Sequence, residues 1–191
     1  SGTINVASTG TLDLNGGSLT APTLNVAGLL KGKGTVTGNV VNTGTVAPGA
    51  SPGVITVAGD YTQSSTGILQ LELGGLSPGA GHDQLVVTGN VFLNGALQVS
   101  QFGGFVPGII DKFQAITAGG TITGAFSSVT VPLLFTGLSP SYGSQVVQLA
   151  GAVGFGGTLV DPQLIREEKD VFAQFDDTDI FKRLQEYLTC N

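Results

Sequence analysis

Apolar and polar positions alternate along this chain in short bursts, with Gly, Asn, Pro and Ser in the stretches that separate them. Ile4 to Val6, Leu12 to Leu14, Leu24 to Val26, Thr35 to Val40, Val54 to Val57, Ile68 to Leu73, Gln84 to Val87 and Val91 to Val99 alternate or run apolar, and period-two alternation predicts strands. In Leu69-Gln70-Leu71-Glu72-Leu73 the three leucines share one face and Gln70 and Glu72 the other, because successive side chains of a strand point to opposite sides. Strands this short cannot bury a face alone, so they must stack.

A phrase recurs at the bends. Val36-Thr37-Gly38-Asn39-Val40, Val57-Ala58-Gly59-Asp60-Tyr61 and Val87-Thr88-Gly89-Asn90-Val91 read as V-x-G-[N/D]-[V/Y], with Val26-Ala27-Gly28-Leu29-Leu30 a looser copy. Gly permits a bend with positive φ, and Asn or Asp can satisfy nearby backbone groups. Gly38, Gly59, Gly89, Asn39, Asp60 and Asn90 are therefore predicted to form structural corners. The four glycines lie 10, 21 and 30 residues apart, which predicts a coil repeating near multiples of ten. Asn15-Gly16 and Asn94-Gly95 could close hairpins, but a single Gly in an apolar frame suits the corner of a coil. About 20 residues per coil, with rungs about 4.8 Å apart, predicts about seven coils in a rod on the order of 30 to 40 Å long. The predicted fold class is all-β, a right-handed parallel β-helix (β-solenoid) with a short C-terminal α-helical tail.

The series Pro48 to Val57, Gly59-Asp60-Tyr61-Thr62-Gln63, Leu71-Glu72-Leu73-Gly74-Gly75 and Asp83 to Gly89 resembles the C-terminal passenger repeats of autotransporters and filamentous-haemagglutinin-like exoproteins. The resemblance spans Gly49 to Ala150, about half the chain. It implies a right-handed parallel β-helix, export through an outer-membrane secretion pore or barrel, and an extracellular or cell-surface rod that displays or adheres to a host-cell or surface ligand. In that family the C-terminal passenger coils also stabilise or nucleate the helix. An autotransporter continues into a membrane barrel of many amphipathic strands. This chain continues instead into a charged tail, which favours an exoprotein exported through a separate pore.

The body is expected to span residues 1–157, with 107–157 forming less regular terminal coils. Phe113 to Ile116, Ile122 to Phe126 and Val146 to Leu149 still read as strands, while Pro132 to Phe135 and Ser139 to Tyr142 read as loops. Phe102, Phe105, Phe113, Phe126 and Phe135 fall in this stretch, bulk suited to closing an open solenoid end. Residues 158–191 form a different kind of sequence. From Asp161 onward there is no Gly, and 12 of the 20 charged residues lie there. Asp161-Pro162 and Asp177-Thr178-Asp179 offer helix starts. Phe172, Phe175, Ile180, Phe181, Leu184 and Leu188 fall on helical stripes, expected to act as a cap or as a docking face for another copy. Docking would join homo-oligomers into filaments.

Composition narrows the function. The 191 residues include 31 Gly and carry a net charge of -6, which argues against nucleic acid as a partner, since that needs clustered Lys and Arg. There is no Met, leading to the expectation that Ser1 marks a trimmed leader, a protease cut or an expression boundary. The single Cys, Cys190, can form no internal disulfide and could bridge two chains.

No constellation of catalytic residues emerges. His82-Asp83 could be drawn as half of a catalytic pair, but no nucleophile is assignable to it. Asp13, Asp60, Glu72, Asp83 and Asp111 are scattered along the body, unlike a calcium site. No cofactor or metal is expected. A polysaccharide-cleaving β-helix would need paired carboxylates in a groove, and the body has no Arg. The threonine pairs Thr9/Thr11, Thr35/Thr37, Thr43/Thr45 and Thr121/Thr123 make no regular ladder for ice. The reading is a non-enzymatic structural or adhesive rod.

Overall fold

The computed structural model describes residues 2–49 and 51–151. Contacts divide the chain into two units, Ser1–Phe155 and Gly156–Asn191. The expected tail helices lie outside the described residues, as do Phe172, Phe175, Ile180, Phe181, Leu184, Leu188 and Cys190.

Seventeen short strands follow one another among the described residues. They are β1 (Ile4–Val6), β2 (Thr11–Asp13), β3 (Ser18–Val26), β4 (Leu29–Gly32), β5 (Gly34–Asn42), β6 (Thr45–Pro48), β7 (Val54–Ala58), β8 (Tyr61–Gln63) and β9 (Ile68–Leu73). They continue as β10 (Gln84–Val87), β11 (Val91–Leu93), β12 (Ala96–Gln101), β13 (Lys112–Ala118), β14 (Ile122–Gly124), β15 (Ser128–Thr130), β16 (Ser139–Tyr142) and β17 (Val146–Ala150). The only helical piece described is a 3-10 turn at Leu133–Phe135.

Pairing between successive coils is parallel from β1 to β15, which makes the fold all-β and β-solenoid-like. Three ribbons result. The first runs through the N-terminal part of β3, then the N-terminal part of β5, β7, β10 and β13. The second runs β1, the C-terminal parts of β3 and β5, β8, β11 and β14. The third, a separate six-stranded sheet, runs β2, β4, β6, β9, β12 and β15.

Inward columns supply the cohesion. Leu30, Val46, Leu69 and Leu97 stack on the third ribbon, and Leu24, Val40, Tyr61 and Val91 on the second, all essentially solvent-free. Removing one such leucine to Ala costs roughly 2 to 5 kcal/mol, since its neighbours collapse only partly into the gap.

Three expectations are corrected. The coil is not a constant 20 residues: register partners Leu24/Val40, Val40/Tyr61, Tyr61/Val91 and Val91/Ile122 are 16, 21, 30 and 31 apart. The added length sits in connections between the third ribbon and the first, residues 74–83 and 102–111, so the described residues make six coils rather than seven. Second, Gly28 is no member of the Gly38 column. It lies at the next corner, where an added Cβ would strike the carbonyls of Ala7 and Gly10. Third, β13 to β15 complete one more parallel coil within the stretch expected to form less regular terminal coils, but the chain after Thr130 does not continue it. Ser139 to Tyr142, expected as a loop, is β16; it pairs antiparallel with β17, which pairs antiparallel with β13. This hairpin covers the edge of the first ribbon at β13, and its own Val147 and Leu149 are fully buried, as are Phe113 and Phe135. Phe102 stays partly exposed, lying over Gly74.

Candidate functional site

The predicted corner residues stack on one another where the first ribbon turns into the second. The Asp60 N–H donates to Asn39 Oδ1 at 2.9 Å, the Asn90 N–H to Asp60 Oδ1 at 2.7 Å, and the Thr121 N–H to Asn90 Oδ1 at 3.1 Å. Each side chain thus satisfies the amide of the coil after it. Gly38 has φ of +132°, while Gly59 and Gly89 do not adopt positive φ. Their need for Gly is close approach instead: a Cβ on Gly59 would meet the Gly38 carbonyl, and one on Gly89 would meet Asp60 Oδ1 and the Gly59 carbonyl. Gly120-Thr121 extends the column without the Asn or Asp of the repeated phrase, so the phrase alone missed it. Ala118-x-Gly-Thr-Ile was the available signal.

Inside the coil, two polar residues occupy an otherwise apolar column. Asn42 and Gln63 follow Val26 in register and precede Leu93. Asn42 Nδ2 donates to the Tyr61 hydroxyl at 3.1 Å and to the Ile68 carbonyl at 3.0 Å. The Tyr61 hydroxyl donates to Gln63 Oε1 at 2.8 Å, and Gln63 Nε2 reaches the carbonyls of Gly67, Asn94 and Ala96. Burial pushes the Tyr61 phenol far above its usual range, against a smaller effect of Asn42. The knot ties the turn after β8 to the next coil.

His82 and Asp83 do not form a catalytic pair. Asp83 Oδ1 accepts the Gly53 N–H at 2.7 Å and Oδ2 accepts the Glu72 N–H at 2.8 Å, so both oxygens are engaged by backbone. Burial pushes its carboxyl up to about 7; those two N–H groups pull it down, and the neighbouring Glu72 charge adds to the rise. His82 is 1% exposed, its Nδ1 lies 3.1 Å from the Gly75 carbonyl, and its ring meets Phe113 edge-on. Burial lowers the proton affinity of His82, opposed by the carbonyls of Gly75 and Gln114. Glu72 and Asp83 line one cavity, and Asp83 is 2% exposed there with both oxygens taken by backbone donors.

That cavity is a broad concave surface among the described residues. It holds about 780 Å³ on the outer face of the third ribbon. Its floor is a register column, Asp13, Lys31, Ala47, Gln70, Gln98 and Thr130, one residue per coil. Lys33, Glu72 and Ser100 line one side. Gln70 Nε2 donates to Gln98 Oε1 at 3.0 Å, and Lys31 Nζ lies 3.5 Å from Asp13 Oδ2. Both partners of that ion pair are about half exposed, so it contributes little stability. A second, shallower hollow of about 410 Å³ along Thr11, Leu29 and Thr45 shares Gln70. The groove was not read from the sequence, although Leu69-Gln70-Leu71 and Leu97-Gln98-Val99 repeat the same outward amide. Among the described residues, no three His, Cys, Asp or Glu side chains gather in a metal-binding group.

No protein-family model matches the chain. It is 34% identical over 124 aligned residues to the adhesin BmaC autotransporter of Brucella suis biovar 1 (strain 1330), a match covering 61% of this chain. The match spans 4% of that relative's length.

Proposed function

We propose that this chain is a non-enzymatic structural and adhesive module of a bacterial cell-surface or secreted exoprotein, built as a right-handed parallel β-helix. Export runs through an outer-membrane pore or barrel, and the outer ribbons meet a host-cell or surface ligand. The C-terminal coil and its antiparallel hairpin stabilise the stack by occupying the last strand edge. The observation that carries this reading is the in-register parallel pairing from β1 to β14. Such stacking fixes rows of outward side chains at about 4.8 Å intervals on a scaffold that needs no partner to hold them in place. Similarity to a protein named an adhesin autotransporter supports the same reading.

The test is retention. Beads bearing the full 191-residue chain are counted after washing on epithelial monolayers and on abiotic surfaces, against beads bearing the heat-unfolded chain. The folded chain is expected to hold at least fivefold more beads on one of these surfaces. Equal retention on all of them contradicts the reading.

A further inference from the structure

We propose that the outer face of the six-stranded ribbon is a binding groove for an uncharged polysaccharide, which lies along the coil axis across Gln70 and Gln98. This rests on the adhesive reading and adds to it the ligand class and the site. The hollow is concave and about 780 Å³, a size that holds several sugar units. A second hollow of about 410 Å³ shares Gln70, so the concave surface widens alongside the first coils.

The chemistry of the lining selects the ligand. The Gln70 to Gln98 hydrogen bond uses one donor and one acceptor of the pair. Among the described residues, Gln70 Oε1 and Gln98 Nε2 have no protein partner, leaving an acceptor on one coil and a donor on the next. A hydroxyl both donates and accepts, so vicinal hydroxyls of a sugar match that arrangement. Ser100 and Thr130 add two more groups of the same kind. Rungs repeat at about 4.8 Å, close to the length of one pyranose unit, so a polymer meets the same chemistry at each step.

Charge and shape disfavour other occupants. The charged lining residues are Lys31 and Lys33 against Asp13, Glu72 and Asp83, so the groove lacks the excess positive charge that polyanions need. A peptide adding as a strand needs a free edge, whereas β4, β6, β9 and β12 are each paired on both sides. The floor also lacks the deep apolar pockets that would seat peptide side chains, since Ala47 is its one aliphatic position.

The experiment titrates the full ¹⁵N-labelled chain with maltohexaose, cellohexaose, chitohexaose and mannohexaose, following side-chain amides by NMR. At least one hexaose is expected to shift the Gln70 and Gln98 amide signals. Gln70→Ala and Gln98→Ala are expected to weaken that hexaose tenfold or more. Both positions face outward, and unchanged circular dichroism checks their folding. No shift at Gln70 and Gln98 with any hexaose, or equal affinity in both variants, overturns the proposal. Beads bearing the double variant separate the two readings: retention without groove binding leaves the adhesive module standing and removes only the glycan groove.

Discussion

Asn90 donates its backbone N–H to Asp60 Oδ1 at 2.7 Å, although 30 residues separate them. The contact joins equivalent corners of adjacent coils, and it is repeated between Asp60 and Asn39. Asp60→Ala removes the acceptor and leaves a partly buried N–H unpaired, which is expected to cost about 1 to 2 kcal/mol. Asp60→Asn keeps an acceptor oxygen and is expected to stay within about 0.5 kcal/mol of the parent. Urea unfolding of the two variants checks the difference; equal losses would remove the ladder from the account.

The buried knot makes a second prediction. Gln63→Leu strips the donor from the carbonyls of Gly67, Asn94 and Ala96 and the acceptor from the Tyr61 hydroxyl. Buried groups left unpaired are costly, so a loss of about 3 kcal/mol is expected. Tyr61→Phe breaks two hydrogen bonds, from Asn42 Nδ2 and to Gln63 Oε1, but leaves Asn42 on the Ile68 carbonyl and Gln63 on its three carbonyls, and should cost about 1 to 2 kcal/mol. If Gln63→Leu proves neutral in denaturant melts, apolar packing alone holds that turn.

Asp83 makes stability depend on pH. Its folded carboxyl titrates at about 7, above the unfolded value near 3.9, so the native state binds the proton more tightly. The stabilisation is complete below about pH 4 and is lost as pH rises through 7. His82, whose proton affinity is lowered, acts oppositely: its contribution is present above pH 6.5 and declines as pH falls. Comparison with Asp83→Asn isolates the carboxyl. The stability difference between parent and variant is expected to change steadily from pH 4 to pH 7 in urea titrations. A difference independent of pH across that window would show that Asp83 does not titrate there.

The antiparallel hairpin protects an edge. Leu149 pairs with Phe113, and both are fully buried. Leu149→Asp places a charge there and is expected to cost about 3 to 5 kcal/mol. It should also free the β13 edge for pairing with other chains. Light scattering during mild warming should rise well below the parent's unfolding temperature, while the exposed Ser141→Asp behaves as the parent. Clear solutions of folded Leu149→Asp would deny the hairpin its capping role.

Much of this architecture is legible in the order of residues. Alternation at Leu69 to Leu73 marks inward and outward faces, and the Gly38, Gly59 and Gly89 phrases mark one column of corners because each must approach the backbone of the coil before it. Pairing direction is not legible, since Val146 to Leu149 alternates identically whether its neighbour runs with it or against it. Coil length was obscured by the connections at 74–83 and 102–111, which add residues without adding rungs. The groove is invisible for a related reason: Gln70 and Gln98 become neighbours only once the register between β9 and β12 is known.

The parallel stack itself is tested most directly by spin-label distances along one outward row. Asn5, Asn25, Thr62 and Thr123 lie on successive or alternate coils of the second ribbon. With Cys190 replaced by Ser, label pairs at 25/62, 25/123 and 5/123 span two, four and five rungs. Pulsed electron–electron resonance should give separations centred near about 10, 19 and 24 Å, rising by about 4.8 Å per coil. Separations that fail to rise with rung number, or that follow sequence distance instead, would contradict the stacked coil.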